Sequence, residues 1–453
     1  MSHTHHPDPS ALSSEKPPVG KYRYRILALL FAATSINYFD RSIMGVMSPD
    51  LIEWFDWTKK DYSHVLVAFQ IAYAVGLLSM GGIIDRMGTK KGYVLSIGLW
   101  SFFGMMHAVV GRGFSLVGFS LARAGLGFGE AGNFPAAIKT TAEWFPKKER
   151  AFATGIFNAA TSVGAIAAPF VVGNIVYWSG GSRGQGELMN WRIPFLITGA
   201  LSAIWVFLWW KNYHKPADHP SLSKAELNYI NSDLDASVSE TPIPWMKVLP
   251  KRETWAFCVA KITDAVWWFY LFWGAIFLAD NFGVKIKEMG LPFLVIYLIA
   301  DAGSIFGGWL SGKFIKQGWT INKARKMTLL ICALVILPVC YVAITDNKWL
   351  AIFLIGLGAA GHQAWSANIF TLVSDVFPKK ATASVVGIGG MVGAVAGMVS
   401  NLALGETLDK AGSTGFFWAF LVAGSLYLLT LLLVHIIMPK MTPLDDNLNP
   451  IQR

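Results

Sequence analysis

Residues 119–136 read FSLARAGLGFGEAGNFPA. The stretch is apolar and rich in glycine, yet it holds Arg123 and Glu130. At about 100° per residue, seven residues return to within about 20° of the start, so on one helix the two charges share a face two turns apart. Asn133, three residues further on, is expected on the same face. In a bilayer each charge costs roughly 2.5–3.5 kcal/mol on insertion scales, tolerable only beside a partner or a water-filled cavity. This face is therefore expected to line a solvated pathway in which the charges act. Gly127, Gly129 and Gly132 also spell GxGxxG, but that dinucleotide fingerprint has meaning only after a strand in a βαβ unit. A long apolar helix candidate precedes it here, so the glycines read as points of close helix approach.

The rest of the chain agrees with a membrane setting. Of 453 residues, 54% are hydrophobic and only 15% charged, with a mean hydropathy of +0.45. Soluble domains carry about 25% charged residues. Repeated apolar runs of roughly 20 residues match the roughly 30 Å hydrocarbon core, so the fold class is an all-α membrane protein. Twelve spans are expected, at 25–48, 62–84, 92–111, 114–136, 151–177, 192–212, 254–280, 290–312, 326–345, 349–373, 382–407 and 415–438. The net charge of +10 resides in short loops and is no sign of nucleic-acid binding. Lys21, Arg23 and Arg25 precede the first span, Arg86, Lys90 and Lys91 follow the second, and Lys147, Lys148 and Arg150 follow the fourth. By the positive-inside rule both termini are cytoplasmic.

Cys258, Cys332 and Cys340 fall inside apolar runs and read as packing residues. No cleavable signal peptide is expected before Ile26. His3, His5 and His6 sit among polar residues and prolines, which reads as a disordered tail rather than a metal site. No metal or cofactor is expected.

The domain reading has five parts: a tail over 1–24, a six-helix bundle over 25–212, a linker over 213–253, a second bundle over 254–438 and a tail over 439–453. The linker carries an acidic run from Asp233 to Glu240 and a surface-helix candidate at 222–235. The halves repeat. WFPKKERAFATG begins at Trp144 and VFPKKATASVVG at Val376, while GGIIDRMGTKK (81–91) is echoed by GGWLSGKFIKQ (307–317). Such duplication predicts a pseudo-twofold axis along the membrane normal and a ligand site near mid-depth between halves.

GGIIDRMGTKK resembles the loop signature of the major facilitator superfamily, at Gly81, Asp85, Arg86, Gly88, Lys90 and Lys91. The resemblance covers about residues 22–440. NYFDRS (37–42), RAGLGFGEAGNFPA (123–136) and EWFPKKERAFATGIFN (143–158) are similar to the anion:cation symporters within it, a group that includes bacterial sugar-acid carriers and the sialic acid and vesicular glutamate transporters. GAAGHQAWSANIFTLVSDVF (358–377) looks most like the bacterial hexuronate transporters. The resemblance implies proton-coupled uptake of an organic anion, glucuronate or galacturonate, across the bacterial inner membrane. Its partners are then the small anion, protons and membrane lipid, and the chain is expected to work as a monomer.

The resemblance gives Arg41 the substrate carboxylate, with Asp40 beside it titrating. Both sit about fifteen residues into the first span, and the bland alternative is a charge pair at the outer membrane edge. Arginine suits the task because its planar fork fits a carboxylate and stays charged. Arg123 is either a structural partner of Glu130 or a second anion group. Glu130 is the first choice for the coupling proton: burial favours its neutral form, a neighbouring arginine its charged form, and substrate on that arginine shifts the balance.

Tyr38, Gln70, Tyr73, Asn133, Asn158, Trp267, His362, Gln363, Trp365, Ser366 and Asn401 are candidates for the sugar's hydroxyls and faces. Each polar one could instead make an ordinary interhelical hydrogen bond. Asp264, Trp267, Trp268, Tyr270 and Trp273 crowd the seventh span, and Asp264 and Asp301 are further proton-site candidates of lower rank. Asp85, Arg86, Glu149 and Arg150 are expected to gate, latching the halves on the cytoplasmic side. The competing readings are an anion exchanger, a symporter for another acid such as galactonate, and a transport-dead sensor. A sensor wants an output domain that the short tails and linker cannot hold. An enzyme is excluded by the lack of any nucleophile, metal or phosphate motif in a working context.

Overall fold

The computed structural model describes residues 20–178, 191–232 and 243–451. The tail histidines and the acidic run Asp233–Glu240 lie outside the described residues. The first six crossings are formed by α1 (Tyr22–Phe55), α2 (Lys59–Met87), α3 (Thr89–Met106), α4 (Ser115–Glu130) with α5 (Asn133–Trp144), α6 (Lys147–Trp178) and α7 (Arg192–Asn212). Two short linker helices follow, α8 (Lys224–Ile230) and α9 (Trp245–Val248). The second six are α10 (Arg252–Lys261) with α11 (Asp264–Phe282), α12 (Gly290–Lys316), α13 (Ile321–Ile336) with its 3₁₀ extension, α14 (Lys348–Val376), α15 (Lys379–Ala411) and α16 (Thr414–Ile437). Among the described residues, ten stretches are long and apolar enough to cross a membrane. The other two crossings are α1, interrupted by Asp40 and Arg41, and the broken α4–α5. Among the described residues the only β pairing is one isolated bridge, Leu444 to Pro450.

The internal repeat becomes geometry. α6 and α15 both start directly after the repeated Phe-Pro, at Pro146 and Pro378, because proline ends the preceding run and opens the next helix. The two bundles meet along α2 against α15, α1 against α11 and α6 against α12.

Two spans are not the single helices expected. The fourth breaks at Ala131–Gly132 and then runs on to Trp144, past the expected end at 136. Pro135 explains the break: it has no N–H for the Ala131 carbonyl, and its ring crowds that carbonyl. The seventh breaks at Ile262–Thr263 with neither proline nor glycine present. There the Thr263 hydroxyl donates back to the Ala260 carbonyl (2.8 Å), and Tyr427 donates to the Thr263 carbonyl (3.4 Å). In the linker the expected helix at 222–235 is shorter, capped by Ser223 and ending at Ile230.

Polar contacts between the bundles, among the described residues, fall at mid-depth and at the end opposite the termini. At that far end Lys59 Nζ pairs with Asp280 (2.8 Å), and Tyr62 donates to the Phe272 carbonyl (2.9 Å). Asp409 of α15 accepts the backbone N–H groups of Lys59 and Lys60 (2.7 and 2.8 Å), the first residues of α2. α2 also has its own capping box between Thr58 and Asp61. Gly45 of α1 lies directly against the Leu271 carbonyl, so α1 and α11 touch through backbone. Towards the termini, a Cβ at Gly81, Gly82, Gly308, Gly312, Gly387 or Gly390 would meet nothing within 4 Å. The bundles are closed at the far end and apart near the termini.

At the terminal end the linker is bound to the first bundle. Glu226 of α8 accepts the backbone N–H of Tyr22 and of Arg23 (both 3.1 Å), while Arg23 pairs with Glu149 (3.0 Å).

Candidate functional site

The break after Glu130 decides the site. Seven residues separate Arg123 from Glu130, about 10.5 Å along α4 at 1.5 Å per residue, and the two are not ion-paired in the structure. Instead Arg41 of α1 reaches across: its Nε and Nη2 both donate to Glu130 Oε2 (2.9 and 2.8 Å). Both side chains are almost wholly buried. Of the two readings of Arg123, the one that pairs it with Glu130 is not met: Arg41 holds that carboxylate instead.

Arg123 is fully buried, and none of its three guanidinium nitrogens has a hydrogen-bond partner among the described residues. It lies over the Phe69 ring at 4.6 Å, within electrostatic reach of Glu130 and Asp40. Glu130 Oε1 also has no hydrogen-bond partner among the described residues. Asp40 is buried against Thr198 of α7, one residue from Arg41 but facing into its own bundle. The outer-edge alternative for these residues does not hold, because their partners lie on α4 and α7 inside the bundle.

Around the Arg41 guanidinium stand four rings: Tyr73 at 4.8 Å, Tyr38 at 4.9 Å, Phe69 at 5.4 Å and Trp268 at 5.8 Å. Trp268 belongs to α11 of the other bundle, so the cage closes across the bundle interface. Such rings hold a guanidinium through their π faces while leaving its N–H edge for an anion. Beside the cage, Asn401 Nδ2 of α15 donates to Gln70 Oε1 of α2 (3.0 Å) and Asn401 Oδ1 accepts from Trp273 (2.8 Å). Gln70 Nε2 has no hydrogen-bond partner among the described residues.

The other candidates divide into two sets. His362 Nδ1 is hydrogen-bonded with the Tyr427 hydroxyl (2.7 Å) and its ring stacks on Trp267 at 5.6 Å, while Gln363 and Ser366 are half-buried on the same helix. Asp301 accepts from Ser162 of α6 (2.7 Å), a further link between bundles at mid-depth. Asn158 is exposed on α6. Two candidates are committed elsewhere. Asn133 accepts from Tyr93 (2.7 Å) and donates to Thr34 (3.3 Å), off the Glu130 face because the α4–α5 turn redirects it. Trp365 is fully buried and donates to the Ala260 carbonyl (3.3 Å) inside the second bundle.

Three of the four loop charges have same-bundle partners in this conformation, and Arg86 is exposed. Asp85 pairs with Lys139 (2.6 Å), Glu149 with Arg23, and Arg150 donates to the Phe145 and Ala142 carbonyls (3.0 and 2.9 Å). Two residues escaped the sequence reading: Phe69 of the cage, and Lys261, which is ion-paired with Asp264. Lys261 had a signal, a lysine three residues before Asp264 inside an apolar span. Phe69 had none that separates it from ordinary packing residues, whereas Trp268 is one of the aromatics that crowd the seventh span.

The chain is similar to proteins of known activity. It is 32% identical over 401 residues to the hexuronate transporter of Escherichia coli (strain K12), covering 87% of this chain and 90% of that one. It is 29% identical over 336 residues to the galacturonate transporter of Dickeya chrysanthemi, covering 73% and 93%. Its fold matches a bacterial homolog of the human lysosomal transporter Spinster in an inward-facing, occupied conformation, with a TM-score of 0.74 at 18% identity over 93% of this chain and 98% of that one. The Major Facilitator Superfamily profile matches residues 30–401. Two six-helix bundles with a charged site between them, and a family match over most of the length, place this chain in the Major Facilitator Superfamily: it is a membrane transporter, not an enzyme.

Proposed function

We propose that the protein is a proton-coupled symporter of a hexuronate, glucuronate or galacturonate, working by alternating access in the bacterial cytoplasmic membrane. The observation that carries this reading is the sharing of one carboxylate, Glu130, between two buried arginines, of which it binds Arg41 and leaves Arg123 without a hydrogen-bond partner. Arg41 and Arg123 balance Asp40 and Glu130 when both acids are ionised. Protonating either acid leaves one positive charge in a dry site, which draws in a carboxylate. The anion then takes the Arg41 fork that Glu130 vacates, so proton and substrate each strengthen the other's binding.

The names of the two relatives favour a hexuronate as the anion. Its carboxylate would sit at Arg41 within the ring cage, and its hydroxyls near Gln70, Asn401, Asn158, His362, Gln363, Ser366 and Trp267. An inside-negative potential opposes entry of a monoanion by about 2.3 kcal/mol per 100 mV, and one co-transported proton cancels this.

The basic loops support a cytoplasmic location for both termini. On that orientation the far-end closure corresponds to an inward-open state. The bundles over 25–212 and 254–438 then rock about the linker over 213–253. In the opposite state Asp85, Glu149 and Arg150 trade their present partners for contacts across the bundles, and Arg86 joins them.

The test is uptake of labelled glucuronate into proteoliposomes, with and without an imposed inward proton gradient, for wild type and Glu130→Gln. Gradient-driven accumulation in wild type with exchange alone in the variant is the expected result. Exchange without any gradient-driven uptake in wild type would make the protein an anion exchanger instead.

A further inference from the structure

At the break in the seventh span Lys261, the last residue of α10, is ion-paired with Asp264, the first of α11. A sealed ion pair in a membrane interior gains little over apolar residues of the same size. Ionisable groups at such depth mark pathways for ligands. This pair is not sealed: the Lys261 side chain is 7% exposed, but that of Asp264 is 21% exposed.

Its position is informative. Asp264 and Trp268 lie four residues apart on one face of α11, and Trp268 is a wall of the Arg41 cage. The pair therefore stands one helical turn, roughly 6 Å, from the cage wall towards the terminal end. That distance is comparable to the length of a hexose ring. α15 packs closely here: a Cβ at Gly393 would lie 2.8 Å from Asp264 Oδ2, so glycine at this position is what leaves room for the carboxylate. His362 is within electrostatic reach of both charges, and its ring stacks on Trp267.

We infer that Lys261 and Asp264 form the subsite that reads the hydroxyl-bearing end of a sugar acid held at Arg41, and that they reject a second carboxylate there. The inference rests on the sugar-acid reading above. Asp264 offers oxygens that accept from hydroxyls, and the ammonium of Lys261 keeps N–H groups for hydroxyl or ring oxygens. Together they carry no net charge, which suits a neutral polyol end. A second carboxylate would face Asp264 directly and could bind Lys261 only by breaking the existing pair. The subsite therefore selects monocarboxylate sugar acids over dicarboxylates.

The experiment measures Kd for D-glucuronate and D-glucarate at one pH on the purified full-length protein. Wild type should prefer glucuronate by about tenfold or more, the scale of one charge-assisted hydrogen bond. Asp264→Asn should weaken glucuronate and strengthen glucarate, because Lys261 is then free. The double variant Lys261→Met with Asp264→Leu leaves no stranded charge, so it should remain folded in a thermal melt. It should lose about tenfold for glucuronate with no gain for glucarate. If the preference is unchanged in both variants while Arg41→Gln abolishes binding of both acids, the subsite is refuted and the sugar-acid reading stands. If wild type binds neither acid, the sugar-acid reading falls and the subsite falls with it.

Discussion

Glu130→Gln tests the competition at Arg41 most directly. In the present state two donors of Arg41 converge on one oxygen of Glu130, at 2.9 and 2.8 Å. A substrate carboxylate can take those donors only when Glu130 gives them up. A hydrogen bond to a charged group contributes about 1.5–3 kcal/mol, so removing the competitor should tighten anion binding by about tenfold to a hundredfold at neutral pH. The variant amide can still accept from Arg41, but as a neutral group it competes weakly. Linkage fixes the pH dependence. Substrate favours the protonated acid, so wild-type affinity should fall as pH rises, by at most about tenfold per pH unit for one proton. Calorimetric titration with glucuronate between pH 5.5 and 8.5 should give a sloping profile for wild type and a flat one for the variant. Weaker binding by the variant, or an unchanged slope, would refute the competition and move the coupling proton to another acid, with Asp40 next in line.

Three further outcomes follow from the packing. Asp409→Asn removes a charge from the first turn of α2, worth about 1 kcal/mol at an exposed helix end; far-end cysteine labelling should then rise about fivefold. Gly45→Val drives a side chain into the Leu271 carbonyl; spin-label distances should show α1 and α11 held apart at the far end, with turnover reduced and purified yield preserved. Glu226→Gln weakens the grip of α8 on the start of α1; a loss of about 1–3 kcal/mol should appear as a lower Tm and faster proteolysis in the linker, with substrate affinity unchanged.

The architecture was legible in the sequence because its signals are coarse: apolar length, basic loops and the repeated FPKK all survive errors of a few residues. The breaks were less legible. Pro135 pointed to one, but the glycines around it supported an uninterrupted close-packed helix equally well. Nothing in Ile262–Thr263 marks the other, which depends on a tyrosine 164 residues away. Of the charged residues of the site all but Lys261 were found, since a buried charge is conspicuous among apolar neighbours. Their pairing was not, because helical periodicity ranks residues on one helix, while Arg41 and Glu130 sit 89 residues apart on two. Asn133 shows the same limit: its face was inferred from a helix that ends three residues before it.

The start of α2 divides its exposed amides between two owners. Thr58 and Asp61 satisfy each other locally, whereas Lys59 and Lys60 lend theirs to Asp409 on the opposite bundle. When the bundles part at that end, the borrowed pair turns to water and the local pair stays in place. The helix therefore does not fray when the latch is released. Separation also breaks the Lys59–Asp280 pair and the Tyr62 hydrogen bond, but for the backbone at the start of α2 it is an exchange of one carboxylate for solvent, repeatable at every cycle. A catch built this way can be weakened or strengthened by substitution without unravelling the element that carries it.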